Sequence, residues 1–163
     1  MENTEELFPV LFDQYVYAQD TEGAGKYRGS LAVRREYRML NEEVIIQLRV
    51  DRQRTAPYGI CGGHEGTILH AIVNPDTENR EVYKSTFKLK KNDVIRIQMA
   101  GAGGYGEPLE RDVDMVLKDV RERKVSVQRA KKTYGVVINK DTMEVDMSET
   151  QRLRDTMRKA VSS

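Results

Sequence analysis

A glycine run in the middle of the chain, Ala100-Gly101-Ala102-Gly103-Gly104-Tyr105-Gly106, limits the possible folds more than any other stretch. Four glycines in six residues let the backbone reach φ > 0 and approach other atoms closely, both of which a Cβ obstructs. Fixing such a run costs conformational entropy, so it points to a structural or binding purpose. If Gly103 or Gly104 takes φ > 0, valine there is expected to cost about 1–3 kcal/mol in backbone strain. Pro108 then interrupts any ladder or helix interior, and Asp112 offers a side-chain oxygen to cap the next element. Before the run the chain reads as strands and turns; after it, mostly as helices.

Gly101, Gly103 and Gly106 also fit G-x-G-x-x-G, the dinucleotide-binding fingerprint. That fingerprint needs a helix opening within the glycines and an acidic residue ending a second parallel strand about 20 residues on. Here Pro108 intervenes, the helical pattern starts near Asp112, and no such strand comes after it. There is no G-K-[ST] of a phosphate-cradling loop either. Nucleotide chemistry is therefore not expected on this run.

The remaining glycines cluster as Gly23/Gly25/Gly29 and Gly59/Gly62/Gly63/Gly66, with Gly135 alone outside. Between the clusters lie strands. Residues 7–18 read as an opening strand, with Pro9 suiting an edge or a strand start. Leu31, Val33, Tyr37 and Met39 share one face, and Val44, Ile46, Leu48 and Val50 alternate with Ile45, Gln47, Arg49 and Asp51. Alternation on both sides of Asn41-Glu42 predicts a β-hairpin. Thr67–Val73 is a strand closed by the turn Asn74-Pro75-Asp76, and Val82–Leu89 and Val94–Met99 flank Lys90-Lys91-Asn92-Asp93.

Past the glycine run the period changes. Val113, Val116, Leu117 and Val120 stripe a helix; Ser126 caps a second one ended by Gly135. Val136–Ile138 and Met143–Met147 suggest a short hairpin. Ser148-Glu149-Thr150-Gln151 reads as a capping box for a last helix striped by Leu153, Thr156, Met157, Ala160 and Val161. The expectation is one α+β, mainly β domain over 1–163. Antiparallel barrel- or sandwich-like strands fill about 7–99, the glycine-rich loop 100–112, and a helical tail with a hairpin 113–163.

Composition narrows the function. Lys+Arg 27 against Asp+Glu 26 leaves a formal charge of +1, so no global field recruits nucleic acid or an anionic membrane. The basic groups Lys88/Lys90/Lys91, Arg121/Arg123/Lys124 and Arg129/Lys131/Lys132 lack interleaved aromatics and read as solvated faces. One cysteine suits a reducing compartment, the polar start Met1-Glu2-Asn3-Thr4-Glu5-Glu6 is unlike a leader, and apolar runs are short. A cytoplasmic protein without nucleic-acid or membrane partners is expected.

Cys61, His64 and His70, with Glu65 nearby, are the candidate metal ligands. Zinc takes three or four converging Cys, His or carboxylate ligands, and the full set is not visible, so a buried cysteine and two surface or partly satisfied histidines is the competing reading. Tyr105 either stacks on a ligand or fills a hole beside bare backbone. No nucleophile–base pair with an orienting third group is seen, so no catalytic residue is assigned.

Taken in order, several stretches carry a resemblance. They are Glu22-Gly23-Ala24-Gly25-Lys26-Tyr27-Arg28-Gly29-Ser30-Leu31, Arg35-Glu36-Tyr37-Arg38, Ala56-Pro57-Tyr58-Gly59-Ile60-Cys61-Gly62-Gly63, and Gly101 through Asp112. Asp119-Val120-Arg121, Val125-Ser126 and Tyr134-Gly135-Val136-Val137 come next. Together, over about residues 7–147, they resemble the C-terminal part of the hydantoinase B (N-methylhydantoinase/oxoprolinase B) family. Chains of that family are several times longer, so the resemblance implies a tail carried as its own subunit. That division is similar to the γ subunit of acetophenone carboxylase-type enzymes, which carboxylate ketones with bicarbonate and ATP. It implies large hydantoinase A-like and B-like partners and no cofactor on this chain, leaving ATP and any divalent metal to those partners. An ATP-dependent hydantoinase or oxoprolinase complex is the second implication, and a free-standing β binding module the third alternative.

Cys61 and His64 stand where apolar and non-ligand residues are expected in that family, so the resemblance lends the metal reading nothing. It does imply an interface. Leu7, Phe8, Leu11, Phe12 and Tyr15, within the crowded apolar stretch Leu7–Tyr17, are the candidates to face the missing part. The competing reading is a central strand buried on both faces.

Overall fold

The computed structural model describes residues 1–161, without the side chain of Val161. Among the described residues seven strands form: β1 (Val10–Tyr17), β2 (Val33–Met39), β3 (Glu43–Leu48), β4 (His70–Val73), β5 (Arg80–Glu81), β6 (Ser85–Lys90) and β7 (Val94–Gln98). They make a five-stranded sheet in the order β1-β2-β7-β4-β5 and a two-stranded sheet β3-β6, with antiparallel pairing throughout. The α+β expectation holds and the barrel does not. β1 and β5 are free edges of the larger sheet, so it is not closed on itself.

The hairpin expected across Asn41-Glu42 does not form either. β2 pairs with β1 and β7, whereas β3 pairs with β6. Alternation specified both strands correctly but carries no information about partners. What the chain builds is a corner. Two long strands, β2–β3 and β6–β7, stay paired side by side while both bend from one sheet into the other, as strands do at sandwich corners. Met39 N–H donates to Asp93 O and Asn92 N–H to Met39 O, each at 2.9 Å, and Asn92 takes the φ of +69° that the bend requires. Between the sheets Met39, Ala71, Val73 and Ile95 pack against Leu48 and Leu89. Each large aliphatic residue buried there contributes roughly 1.5–3 kcal/mol.

The opening strand begins at Val10. A short helix, α1 (Glu2–Leu7), precedes it, and Phe8 and Pro9 make the joint. After the glycine run a single 3-10 turn, Pro108–Glu110, leads into α2 (Val113–Arg121). Asp112 caps α2 as expected, its Oδ1 accepting from the backbone N–H of Asp114 and Met115, and Val116 and Val120 are buried. In α3 (Val127–Tyr134) Ser126 Oγ accepts from Arg129 N–H, and Gly135 ends the helix in the left-handed region at φ 63°. The expected hairpin after it shrinks to one bridge, Ile138 to Val145.

The last helix, α4 (Met147–Val161), is not started by the Ser148 box. Asp146 Oδ1 accepts from Glu149 N–H at 2.9 Å, so an aspartate two residues earlier takes the capping position. Of the expected stripe, Leu153 and Met157 are half-buried and Thr156 and Ala160 exposed, while the Val161 side chain lies outside the described residues.

The three glycine clusters meet. The 100–106 segment runs between residues 21–30 and 57–67 and is hydrogen-bonded to both. Gly23 N–H donates to Ala102 O, Ala102 N–H to Ser30 O, Gly104 N–H to His64 O and Ile60 N–H to Gly104 O, all between 2.7 and 3.0 Å. Neither Gly103 nor Gly104 has positive φ, which corrects the strain expectation; in this run only Gly106 does. Close approach is the reason for the glycines. A Cβ on Gly104 would sit 2.1 Å from Ala24 O, and one on Gly103 1.9 Å from Tyr58 O. Three backbones pack where side chains normally would.

Candidate functional site

Two buried ion-pair clusters tie this bundle to the helices. Glu22, with no exposed surface, accepts at Oε1 from Arg129 Nε at 2.7 Å and from the Tyr134 hydroxyl at 3.1 Å, while Arg129 Nη2 donates to Glu22 O. Burial beside the Glu22 carboxylate pushes the Tyr134 pKa up. Asp119 receives a two-bond fork from Arg28, 2.9 Å to each oxygen, and a third bond from buried Arg111 at 2.8 Å. Arg111 also donates to Lys26 O, so α2 is clamped to the first glycine loop. Charge-assisted forks of this kind fix geometry as well as adding energy.

Burial by itself raises the Asp119 pKa, but the hydrogen bonds and charges of Arg28 and Arg111 outweigh it and hold the group below its ordinary value. A carboxylate lowered on folding stabilises the fold above its unfolded pKa of about 3.9, and that contribution is lost as pH falls through the folded value. Urea-unfolding free energies measured from pH 6 down to pH 2 are expected to fall more steeply below about pH 4 for the native chain than for Asp119→Asn. Parallel curves would refute the assignment.

A cleft of about 490 Å³ opens beside Glu22, lined also by His64, Glu65, Thr67, Arg129 and Thr133. His64 and Thr133 separate it from a second cleft of about 450 Å³ lined by Pro108, Leu109, Lys132, Met157 and Ala160. The first presents polar and apolar surface in equal measure and the second is largely apolar. Glu22 Oε2 is buried without a hydrogen-bond partner among the described residues. Oε1 is already held by Arg129 and Tyr134, so the carboxylate is braced as a structural anion. Among the described residues no hydroxyl or thiol nucleophile is hydrogen-bonded to a base in either cleft.

The sequence candidates scatter. Cys61 is exposed at a positive-φ turn, His64 is exposed at the ridge between the clefts, and His70 on β4 is paired through Nδ1 with Glu81 Oε1 at 3.0 Å across the sheet. They do not converge, and among the described residues no group of three or more His, Cys, Asp or Glu is placed to hold a metal ion. The buried-cysteine alternative fails as well, since Cys61 is exposed. Tyr105 fills no hole: half its surface is exposed, tilted towards Tyr27 at 6.3 Å between ring centres, and Cys61 beside its hydroxyl pushes its pKa up.

Gly101, Gly103 and Gly104 lie at the centre of the bundle and Gly106 at its end. Leu7, Phe8, Leu11 and Tyr15 are exposed, Phe12 is half-buried against Tyr37, and β1 lies at the sheet edge, so the central-strand alternative is excluded. The Glu22–Arg129 and Asp119–Arg28–Arg111 clusters were missed as sites. Glu22, Arg28, Arg111 and Asp119 sit inside the stretches that carry the resemblance and Arg129 lies outside them, but partners 107 and 91 residues apart leave no local signal.

The profile of the Hydantoinase B/oxoprolinase family matches residues 1–108. An uncharacterized protein of Methanocaldococcus jannaschii is 36% identical over 157 residues, 94% of this chain and 28% of its own. The acetophenone carboxylase delta subunit of Aromatoleum aromaticum is 23% identical over 186 residues, covering 94% of this chain and 27% of its own.

Among solved structures, ATP-dependent caprolactamase from Pseudomonas jessenii superposes with a TM-score of 0.78 at 27% identity, over 94% of this chain and 28% of that one. Nucleotide-free acetone carboxylase gives a TM-score of 0.83 at 18% identity over 98% of this chain and 26% of that one, a likeness of fold alone. The chain thus spans about a quarter of the length of each of these four proteins.

Proposed function

The chain belongs to the hydantoinase B/oxoprolinase family, and on that premise we propose that it is a structural part of an ATP-dependent multi-subunit enzyme that opens a cyclic amide. The observation that carries this reading is the likeness to ATP-dependent caprolactamase over 94% of the chain, at higher identity than to either carboxylase. A bundle of bare backbones, two clusters of neutralised buried charges and no nucleophile–base pair among the described residues suit a part that positions its partners. Its partners are A-like and B-like polypeptides of the same assembly, which supply ATP binding and any divalent metal. The lone cysteine fits work in a reducing cytoplasm. No helix among the described residues is long and apolar enough to cross a membrane.

The second reading is ketone carboxylation of the acetophenone carboxylase type, favoured by the match to a subunit of that enzyme. Reconstitution with the A-like and B-like polypeptides of the host, given ATP, separates the two. Ring opening of hydantoin, 5-oxoproline or caprolactam coupled to ATP hydrolysis is the expected result. Incorporation of labelled bicarbonate into a ketone would replace it with the second reading. An assembled complex with neither activity would overturn both. If the chain co-purifies from its host with nothing and melts cooperatively without binding a hydrophobic dye, it is a free-standing binding module instead.

A further inference from the structure

The larger sheet is five strands wide and its cover only two, so one end of its inner face is left over. Cross-strand partners share a face, which places Phe12, Tyr37, Ile95 and Val73 in one row of that face, where Ile95 and Val73 are buried. A register shift between Phe12 and Gln14 keeps the next row, Tyr15, Arg35, Ile97 and Ala71, on the same side, and Tyr17 faces Val33 beyond it. There the cover runs out. Tyr15 is 49%, Tyr17 70% and Met99 44% exposed, while Arg35 lies over the Tyr15 ring at 4.9 Å with its Nε buried and unpartnered among the described residues. The same guanidinium donates from Nη2 to the Tyr15 hydroxyl at 3.3 Å, which holds that bare ring in place on the face.

The edge itself is shielded unevenly. Over the first half of β1 the α1 helix folds back, and Glu5 Oε1 takes the outward N–H of Phe12 at 2.7 Å. Over the second half, Gln14 to Tyr17, no such shield is seen among the described residues. Native edges are normally blunted by charge, proline or a covering element. This half carries Tyr15, Val16 and Tyr17, all exposed.

We infer that this overhang is the docking strip for the polypeptide equivalent to the other three quarters of a B-type subunit. That polypeptide adds a strand along Gln14–Tyr17 and lays apolar side chains over Tyr15, Tyr17 and Met99. The occupant is identified by length: the caprolactamase chain that this fold superposes on is about four times as long, since only 28% of it is covered. Strand addition supplies affinity through the backbone, and the tyrosines supply the anchors. The inference rests on the proposed membership of a family complex but names a surface that such membership does not require.

The test is binding of the full chain to the B-type polypeptide of its host, by titration calorimetry, with hydrogen exchange read on the complex. The double variant Tyr15→Ser/Tyr17→Ser is expected to weaken binding about 100-fold. Tyr58→Ser, an equally bare tyrosine on the glycine bundle, should bind as the native chain does. Amides of Gln14–Tyr17 should gain protection in the complex. A double variant that keeps its circular dichroism and melting but binds normally overturns the strip and leaves the complex reading intact. No binding by the native chain overturns both. A self-association of the native chain that the double variant abolishes would assign the strip to a second copy and overturn the inference.

Discussion

Replacing Gly104 by alanine is expected to cost about 3 kcal/mol or more, lowering the melting temperature by roughly 6–12 °C for a chain of this length. The added methyl carbon would lie 2.1 Å from Ala24 O and 2.5 Å from Ala24 C, both backbone atoms held by hydrogen bonds on either side. A flexible side chain could swing away; a backbone laced to its neighbour cannot. Alanine should therefore be almost as damaging as valine, and since Gly104 has no positive φ the loss comes from close approach. Gly106→Ala is the internal control. Gly106 sits at φ 73° against the Lys26 side chain at 3.1 Å, so it should lose only about 1 kcal/mol. Equal losses at the two positions, by urea or thermal unfolding, would reject close packing of the backbones as the organising constraint.

Asp119→Ala is expected to destabilise by about 3–5 kcal/mol, because it strips the shared carboxylate from two guanidinium groups, one of them buried. The comparison is Glu43→Ala, which removes the exposed Lys88–Glu43 pair, with side chains 64% and 59% exposed. That loss should stay within about 1 kcal/mol. If Arg28→Met and Arg111→Met restore much of the stability lost in Asp119→Ala, the damage came from stranded charge; if they add to it, the clamp itself was stabilising. A near-silent Asp119→Ala would remove the clamp from the account of how α2 is held.

What could be read from the sequence depended on the range of each signal. Asp112, Ser126 and Gly135 were legible as helix boundaries because capping acts over a few residues. Ser148 misled for the same local reason: Asp146 competes two residues upstream and wins. Alternation from Val44 to Leu48 gave a strand and hid its partner, since pairing with β6 is decided across the whole body. The glycine run announced that something must come close without saying what. That it packs on two other glycine-bearing segments emerges only in three dimensions. The buried clusters at Glu22 and Asp119 were illegible, as a charged residue in sequence looks the same whether solvated or clamped.

The bundle of bare backbones also bears on the order in which the chain folds. Early folding contacts are commonly hydrophobic, and residues 100–106 have almost no side chains with which to recruit the two segments they end up between. The corner where β2–β3 and β6–β7 bend together has what the bundle lacks, with Met39, Leu48, Leu89 and Ile95 converging from distant parts of the chain. That corner can nucleate while the glycines are still free, and pairing across such sequence distance makes the step slow. The bundle then zips last, onto a frame that already holds its three segments in reach, so substitutions within it should speed unfolding far more than they slow folding.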